Sequence, residues 1–195
     1  MSTACTPHGV RIVVRRFPST PSLTTLSMTA KKRAASSSRA RTVRPATDSA
    51  VTRERLIELL NEDLSREYQA IIAYVAYSQV IKGAKFMAIA KELEVHAGEE
   101  LRHALIISKM VDYLGGTPAV SANPVKMSDR AEDLLQFDLD NETDTVREYR
   151  NRVAQCEALG EYAISEHIRE ILKDEQEHAI ELATALGKDV PKMGR

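Results

Sequence analysis

Tryptophan is absent from this sequence, and phenylalanine occurs only three times in 195 residues. So few large aromatics beside abundant Ala and Leu argue against a sandwich or barrel core and for packed helices. Cysteine is equally scarce. Cys5 and Cys156 stand in different regions without a Cys-x-x-Cys, which points to neither a disulfide framework nor a thiolate metal site and favours a reducing compartment. No run approaches the ~18 apolar residues of a membrane span, so a soluble, cytoplasmic body with no membrane contact is expected. Acidic residues are missing from positions 1–47, which hold nine Lys/Arg; the remainder then carries 18 (27 less 9) against 28 Asp/Glu. A net charge of −1 thus averages a basic arm with an acidic body.

Residues 1–47 are rich in Ser, Thr, Pro and Arg and show no sustained helical stripe. Such a segment buries too little surface to offset its ordering entropy and reads as a disordered arm, ahead of a body at 48–187 and a tail at 188–195. Three uses stand beside a plain solvated tail. Lys31, Lys32, Arg33, Arg39, Arg41 and Arg44 could contact DNA through its phosphates. Residues 1–27 could be an organellar transit peptide, which would replace the cytoplasmic location. Met28 could also be the true start. A secretory signal is not expected, because Arg11, Arg15 and Arg16 interrupt Val10–Phe17.

From Thr52 onward the pattern is helical. Thr52 can cap helix A, which runs to about Lys82 before Gly83. Helix B follows from about Ala84 to Leu114, and residues 115–127, with two Gly and two Pro, form a loop. Helix C starts at Ser128 or Asp129 and reaches about Leu159. Helix D follows Gly160 and ends near Leu186. Two tight hairpins joined by a longer loop predict an all-α four-helix bundle with one long crossover between helices B and C.

A four-residue constellation occurs twice, 75 positions apart: Glu67, Tyr74, Glu100 and His103 recur as Glu142, Tyr149, Glu175 and His178. In both copies a lone Glu precedes a Glu-x-x-His by 33 residues. With 18 Glu in the chain, a single Glu-x-x-His is a weak signal, but duplication at constant spacing is not. His8, His96 and His167 lack the partner and read as tail, surface or near-surface groups. Glu54, Glu58, Glu62 and Glu177 read as solvated.

Core-facing seams show where the duplicated residues point. Helix D gives Ile164, Ile168, Ile171, Glu175, His178 and Leu182 in steps of four and three. Helix B gives Leu93, Glu100, His103, Ile107, Met110 and Leu114; helix C gives Leu135, Leu139, Glu142, Val146, Tyr149 and Val153; helix A gives Leu56, Leu60, Leu64, Glu67, Ile71 and Tyr74. Each seam places a carboxylate where an apolar side chain belongs, and no Lys or Arg lies in them. Unpaired buried charges cost several kcal/mol each. Two divalent cations would cancel four glutamates, with His103 and His178 each completing one shell. Tyr74 and Tyr149 follow the lone glutamates by two turns, either as core aromatics or as hydrogen-bond and electron donors to the site. Cys156 continues helix C's seam as packing.

With these residues in place the chain resembles the ferritin-like superfamily, bacterioferritins in particular. The likeness runs through Leu60-Asn61-Glu62-Asp63-Leu64, Glu100-Leu101-Arg102-His103, Leu139-Asp140-Asn141-Glu142 and Ile171-Leu172-Lys173-Asp174-Glu175-Gln176-Glu177-His178, over roughly residues 52–187. The resemblance implies a ferroxidase that binds two Fe(II) per subunit, oxidises them with O2 or H2O2 and stores Fe(III) mineral inside an oligomeric shell. It implies that Glu67, Glu100 and His103 hold one iron and Glu142, Glu175 and His178 the other, with Glu100 and Glu175 bridging. Bacterioferritins ligate haem through a Met after the helix B glutamate; Leu101 stands there, so no haem is expected. Only 17 residues follow His178, little room for the fifth helix of a twenty-four-subunit cage. A twelve-subunit shell like that of Dps proteins, DNA-protecting mini-ferritins among which a basic N-terminal arm is common, is favoured. A DNA-protecting protein, a manganese catalase and a di-iron peroxidase or oxygenase are the alternatives; the Cys-rich domain of a rubrerythrin-type peroxidase is missing.

Overall fold

A computed structural model describes residues 51–192. Among them the chain forms four long helices: α1 (Arg53–Val80), α2 (Met87–Tyr113), α3 (Ala131–Ala158) and α4 (Tyr162–Ala185), with no strand. No helix among the described residues is long and apolar enough to cross a membrane. His8, the basic arm and its DNA, transit-peptide and Met28 readings lie outside the described residues.

Local chemistry sets the ends. Thr52 takes extended backbone and its hydroxyl accepts the Arg55 N–H at 3.1 Å, capping α1. After Gly83 the helix does not resume at Ala84; a 3-10 turn, Ala84–Phe86, comes first and carries Phe86 into the core. Nor does α3 start at Ser128 or Asp129. The Ser128 hydroxyl accepts the Arg130 N–H at 3.2 Å and donates to Asp133 at 2.9 Å, so this turn is spent before the helix begins at Ala131. Gly160, at φ +76°, makes the tight reversal between α3 and α4.

The helices pack as a square in which α1 touches α2 and α3, and α4 touches α3 and α2. Residue pairs 67–149 and 74–142 fix α1 antiparallel to α3. Pairs 99–178 and 96–181 do the same for α2 and α4. Since both hairpins are antiparallel, the chain must travel the length of the bundle between α2 and α3. It does so as a strap tied along α1. Asn61 bonds both Thr117 O (3.1 Å) and Ala119 N (2.7 Å), Ser65 O accepts Asn123 N (3.1 Å), Gln69 donates to Pro124 O (3.0 Å), and the Tyr77 hydroxyl donates to Lys126 O. These anchors are spaced by multiples of four and so share one stripe of α1. Where the strap leaves α2, a Cβ on Gly116 would sit 2.4 Å from Ile57 Cγ2, so only glycine fits.

Every seam residue is buried except Ile71, which is half-buried. The apolar ones form two clusters. One holds Leu56, Leu60, Ile107, Val153 and Ile168; the other holds Tyr77, Leu93, Leu135, Leu139 and Leu182. The glutamates and histidines occupy the layer between them.

The seams hold no Lys or Arg, as expected, but one cation beside them is buried. Arg152 is 1 % exposed and grips Asp63, itself 0 % exposed, with Nε–Oδ2 at 2.6 Å and Nη2–Oδ1 at 3.1 Å. Its Cα lies beside the α3 seam, and the long stem carries the guanidinium across to α1. This cation is committed to Asp63 and leaves the four glutamates uncompensated.

Candidate metal centre

The two copies of the duplicated constellation face one another across the middle of the bundle. None of Glu67, Glu100, His103, Glu142, Glu175 and His178 is more than 3 % exposed. His103 turns Nδ1 inward, 3.4 Å from Glu67, 3.3 Å from Glu100 and 3.2 Å from Glu175. His178 does likewise, with Nδ1 3.0 Å from Glu100 and 3.5 Å from Glu175. Two overlapping ligand groups result: Glu67, Glu100, His103 and Glu175, and Glu100, Glu142, Glu175 and His178, each with donor atoms within 4.8 Å of one another. Glu100 and Glu175 belong to both.

The outer atoms of the site are held; apart from His103 Nδ1 and Glu100 Oε2, 3.3 Å apart, the inner ones are not. Tyr74 on α1 donates to Glu142 on α3, and Tyr149 on α3 donates to Glu67 on α1, so each tyrosine supports the lone glutamate of the other copy. The outward Nε2 of His103 lies 3.4 Å from Asp174, and that of His178 lies 3.0 Å from Glu99. This fixes both rings with Nδ1 pointing in. By contrast Glu67 Oε2, Glu100 Oε1, Glu175 Oε1 and His178 Nδ1 are buried without a hydrogen-bond partner. Four unpartnered donor atoms converging on one volume suit a cation and little else.

Without a cation the site meets its charge with protons. Burial, then the Glu67 charge, pushes the Glu100 carboxyl up to about 8. Burial and the neighbouring Glu175 hold Glu142 well above the carboxylate range. Burial opposes charge on the two imidazoles, but surrounding carboxylates prevail: they raise His103 and lift His178 to about 12. Burial likewise opposes the charged form of Glu67, yet its neighbours, His103 foremost, keep it below the usual value. Tyr74 and Tyr149 are raised by burial and adjacent carboxylates, so both stay protonated as donors. A cavity of about 90 Å³ between α1 and α3 leads from Asn123 and Asp144 at the surface to all four glutamates.

One histidine contradicts its expected surface position. His96 is 1 % exposed: the 93–96–100–103 spacing places it in the α2 seam, stacked on His178 with centroids 4.1 Å apart. Burial and then His178 depress it to about 4, so it is neutral at physiological pH. His167 is half-buried and near the surface as expected. Two further pairs obey the same 75-residue shift: Asp63 with Asp138, both buried, and Glu99 with Asp174, which orient the histidines. Extending the repeat beyond Glu, Tyr and His would have found them.

A profile of the family described as ferritin-like domain matches residues 57–190. The chain belongs to that family. This ferritin-like chain is 26% identical over 133 residues to a bacterioferritin of Brucella melitensis, covering 68% of this chain and 83% of the relative. A ferritin-like, diiron-carboxylate protein of Bacillus anthracis superposes with a TM-score of 0.66 at 30% identity, over 69% of this chain and 96% of the other. A dodecameric thioferritin from Bacteroides fragilis, described as bacterioferritin-related, gives the same TM-score of 0.66 at 24% identity, over 71% and 88% of the two chains, and shares the fold.

Proposed function

We propose that the chain is a ferroxidase that sequesters iron, taking two Fe(II) per subunit as substrate at the buried centre. The observation that carries this is the pair of overlapping ligand groups with unpartnered inward oxygens and a shared Glu100 and Glu175. Glu67, Glu100 and His103 hold one ion, and Glu142, Glu175 and His178 the other. Nitrogen and carboxylate donors suit Fe(II), and the sharing of two carboxylates keeps the ions close. Each Fe(II) gives up one electron. The pair together reduces O2, with two protons, to H2O2, or reduces H2O2, with two protons, to two waters. Tyr74 and Tyr149 hold the terminal carboxylates in place, and His103 and His178 are aimed by Asp174 and Glu99. Relationship to a bacterioferritin and to a diiron-carboxylate protein supports the assignment. We further propose an oligomeric shell. Ile72, Val75, Leu101 and Leu105, each at least 50 % exposed on α1 and α2, supply an apolar surface for a neighbouring subunit to cover.

Aerobic Fe(II) titration into metal-free protein, followed by absorbance and O2 uptake, tests the centre. The expected result is a fast phase saturating near two Fe(II) per chain, one for each group, and abolished in Glu175→Ala. Binding without oxidation would make this a cation site and not a ferroxidase. No binding would end the proposal.

The arm carries a second, separable role. Nine Lys/Arg with no acid at positions 1–47 favour DNA phosphate contact. Deleting the arm should abolish a salt-sensitive DNA mobility shift while leaving iron oxidation unchanged; a shift that survives deletion would refute this role.

A further inference from the structure

The two halves of the molecule are alike at the centre but differ on its outer side. Under the 75-residue shift His96 corresponds to Ile171, a buried core side chain, and Arg102 corresponds to Glu177. In one half Arg102 lies 2.5 Å from Asp174 and neutralises the acid that orients His103. In the other half no such cation is present. Among the described residues no Lys or Arg pairs with Glu92, Glu99 or Glu181, and an imidazole stands where apolar packing would suffice. Lys85, which lines the groove on this side, is engaged at 2.6 Å by Glu132.

His96 is also incompletely bonded. Its Nε2 lies 2.7 Å from Glu181, while Nδ1 is buried with no partner. A neutral imidazole carries its one proton on either nitrogen, and with that proton on Nδ1 the Nε2 lone pair faces Glu181 and is open to an ion. Glu92, one turn before His96 on α2, brings a second carboxylate, so that donor atoms of Glu92, His96 and Glu181 lie within 4.8 Å of one another. An open groove of about 310 Å³ between α2 and α4, lined by Ala88, Glu92, Glu181 and Thr184, gives an ion access from solvent.

From this we infer a third divalent-cation site, built from Glu92, His96 and Glu181 on the α2–α4 side and distinct from the central pair. One imidazole and two carboxylates form a donor set for first-row ions such as Fe(II) or Zn(II). The site heads a series of overlapping groups. His96, Glu99 and His178 form the next, and His178 belongs to the centre itself. An ion bound at His96 therefore sits one step from the central pair, on the side opposite the α1–α3 cavity. This third site is independent of the ferroxidase reading except in the total ion count.

Equilibrium dialysis of the metal-free full chain against redox-silent Zn(II), with bound metal counted per chain, tests the inference. Three ions are expected for the wild type, and two for His96→Ile, which installs the residue of the duplicate position. Glu181 is 35 % exposed in its side chain, so Glu181→Gln spares the core and should also give two, or weaken the third ion at least tenfold. Two ions in the wild type, or three undiminished in both variants, would overturn the third site and leave the central pair standing. One ion in the wild type and none in His96→Ile would uphold the third site and overturn the paired centre.

Discussion

Loading the centre with two divalent cations at neutral pH should expel at least three protons per chain. In the metal-free core, pH 7 lies below the raised values of Glu100 (about 8) and His178 (about 12), and His103 is raised as well, so these three hold protons. Burial and the Glu175 charge shift Glu142 in the same direction. Ligands must surrender these protons before they bind. Two divalent ions take over the charge that the protons supplied, and the buried layer never holds a large net charge. With more than one proton leaving per ion, affinity should climb more than about tenfold per pH unit near neutrality. Above pH 8 Glu100 deprotonates unaided, and the count should fall by about one. A third ion at His96 adds nothing, because that ring is already neutral. The sign for stability follows. The folded state holds these protons more tightly than the unfolded chain, so metal-free stability should fall as pH rises from 4.5 through about 8 for Glu100 and from 6.5 to about 12 for His178. Zn(II) titration in weak buffer with a pH indicator measures the release directly. Fewer than about one proton per chain, or affinity flat from pH 6 to 8, would refute the proton-filled core.

Tyr149→Phe strands a buried Glu67 oxygen and should cost about 1–3 kcal/mol in denaturant unfolding while weakening one ion about 10–100-fold. Tyr74→Phe should do the same for the ion beside Glu142. Arg152→Met leaves Asp63 buried with Arg66 as its one remaining ion-pair partner, at a cost of about 3–5 kcal/mol. Adding Asp63→Leu should recover most of that loss, and failure to recover would mean the pair contributes through packing instead. Glu175→Gln should impair both central ions, because its carboxylate is shared, whereas Glu67→Gln should impair one; equal losses by calorimetry would contradict the sharing.

How much of this was legible in the sequence depended on whether the signal was periodic. Seams on all four helices could be read because each core-facing glutamate interrupts an otherwise apolar stripe. His96 was misplaced because it was judged by a missing Glu at i−3, although its step of three from Leu93 and four to Glu100 already put it in the seam. Asp63 and Arg152 lie 89 residues apart and meet only when α1 packs on α3, a pairing no local pattern announces. The late start of α3 was hidden for a smaller reason: Ser128 serves a turn and not a cap. Ligand identity at the centre was suggested by spacing, but the support of each tyrosine for the opposite copy's glutamate required the antiparallel geometry.

The strap between Tyr113 and Ala131 has a consequence for what the centre can become. Two identical hairpins associating as separate chains around a two-fold axis could introduce residues only in symmetric pairs. Such a dimer would carry His96 on both sides or neither, and Arg102 likewise. Tying the hairpins into one polypeptide lifts that restriction. One flank can keep Ile171 and the Arg102–Asp174 pair, while the other gathers Glu92, His96, Glu99 and Glu181. The strap joins the halves and also lets them specialise.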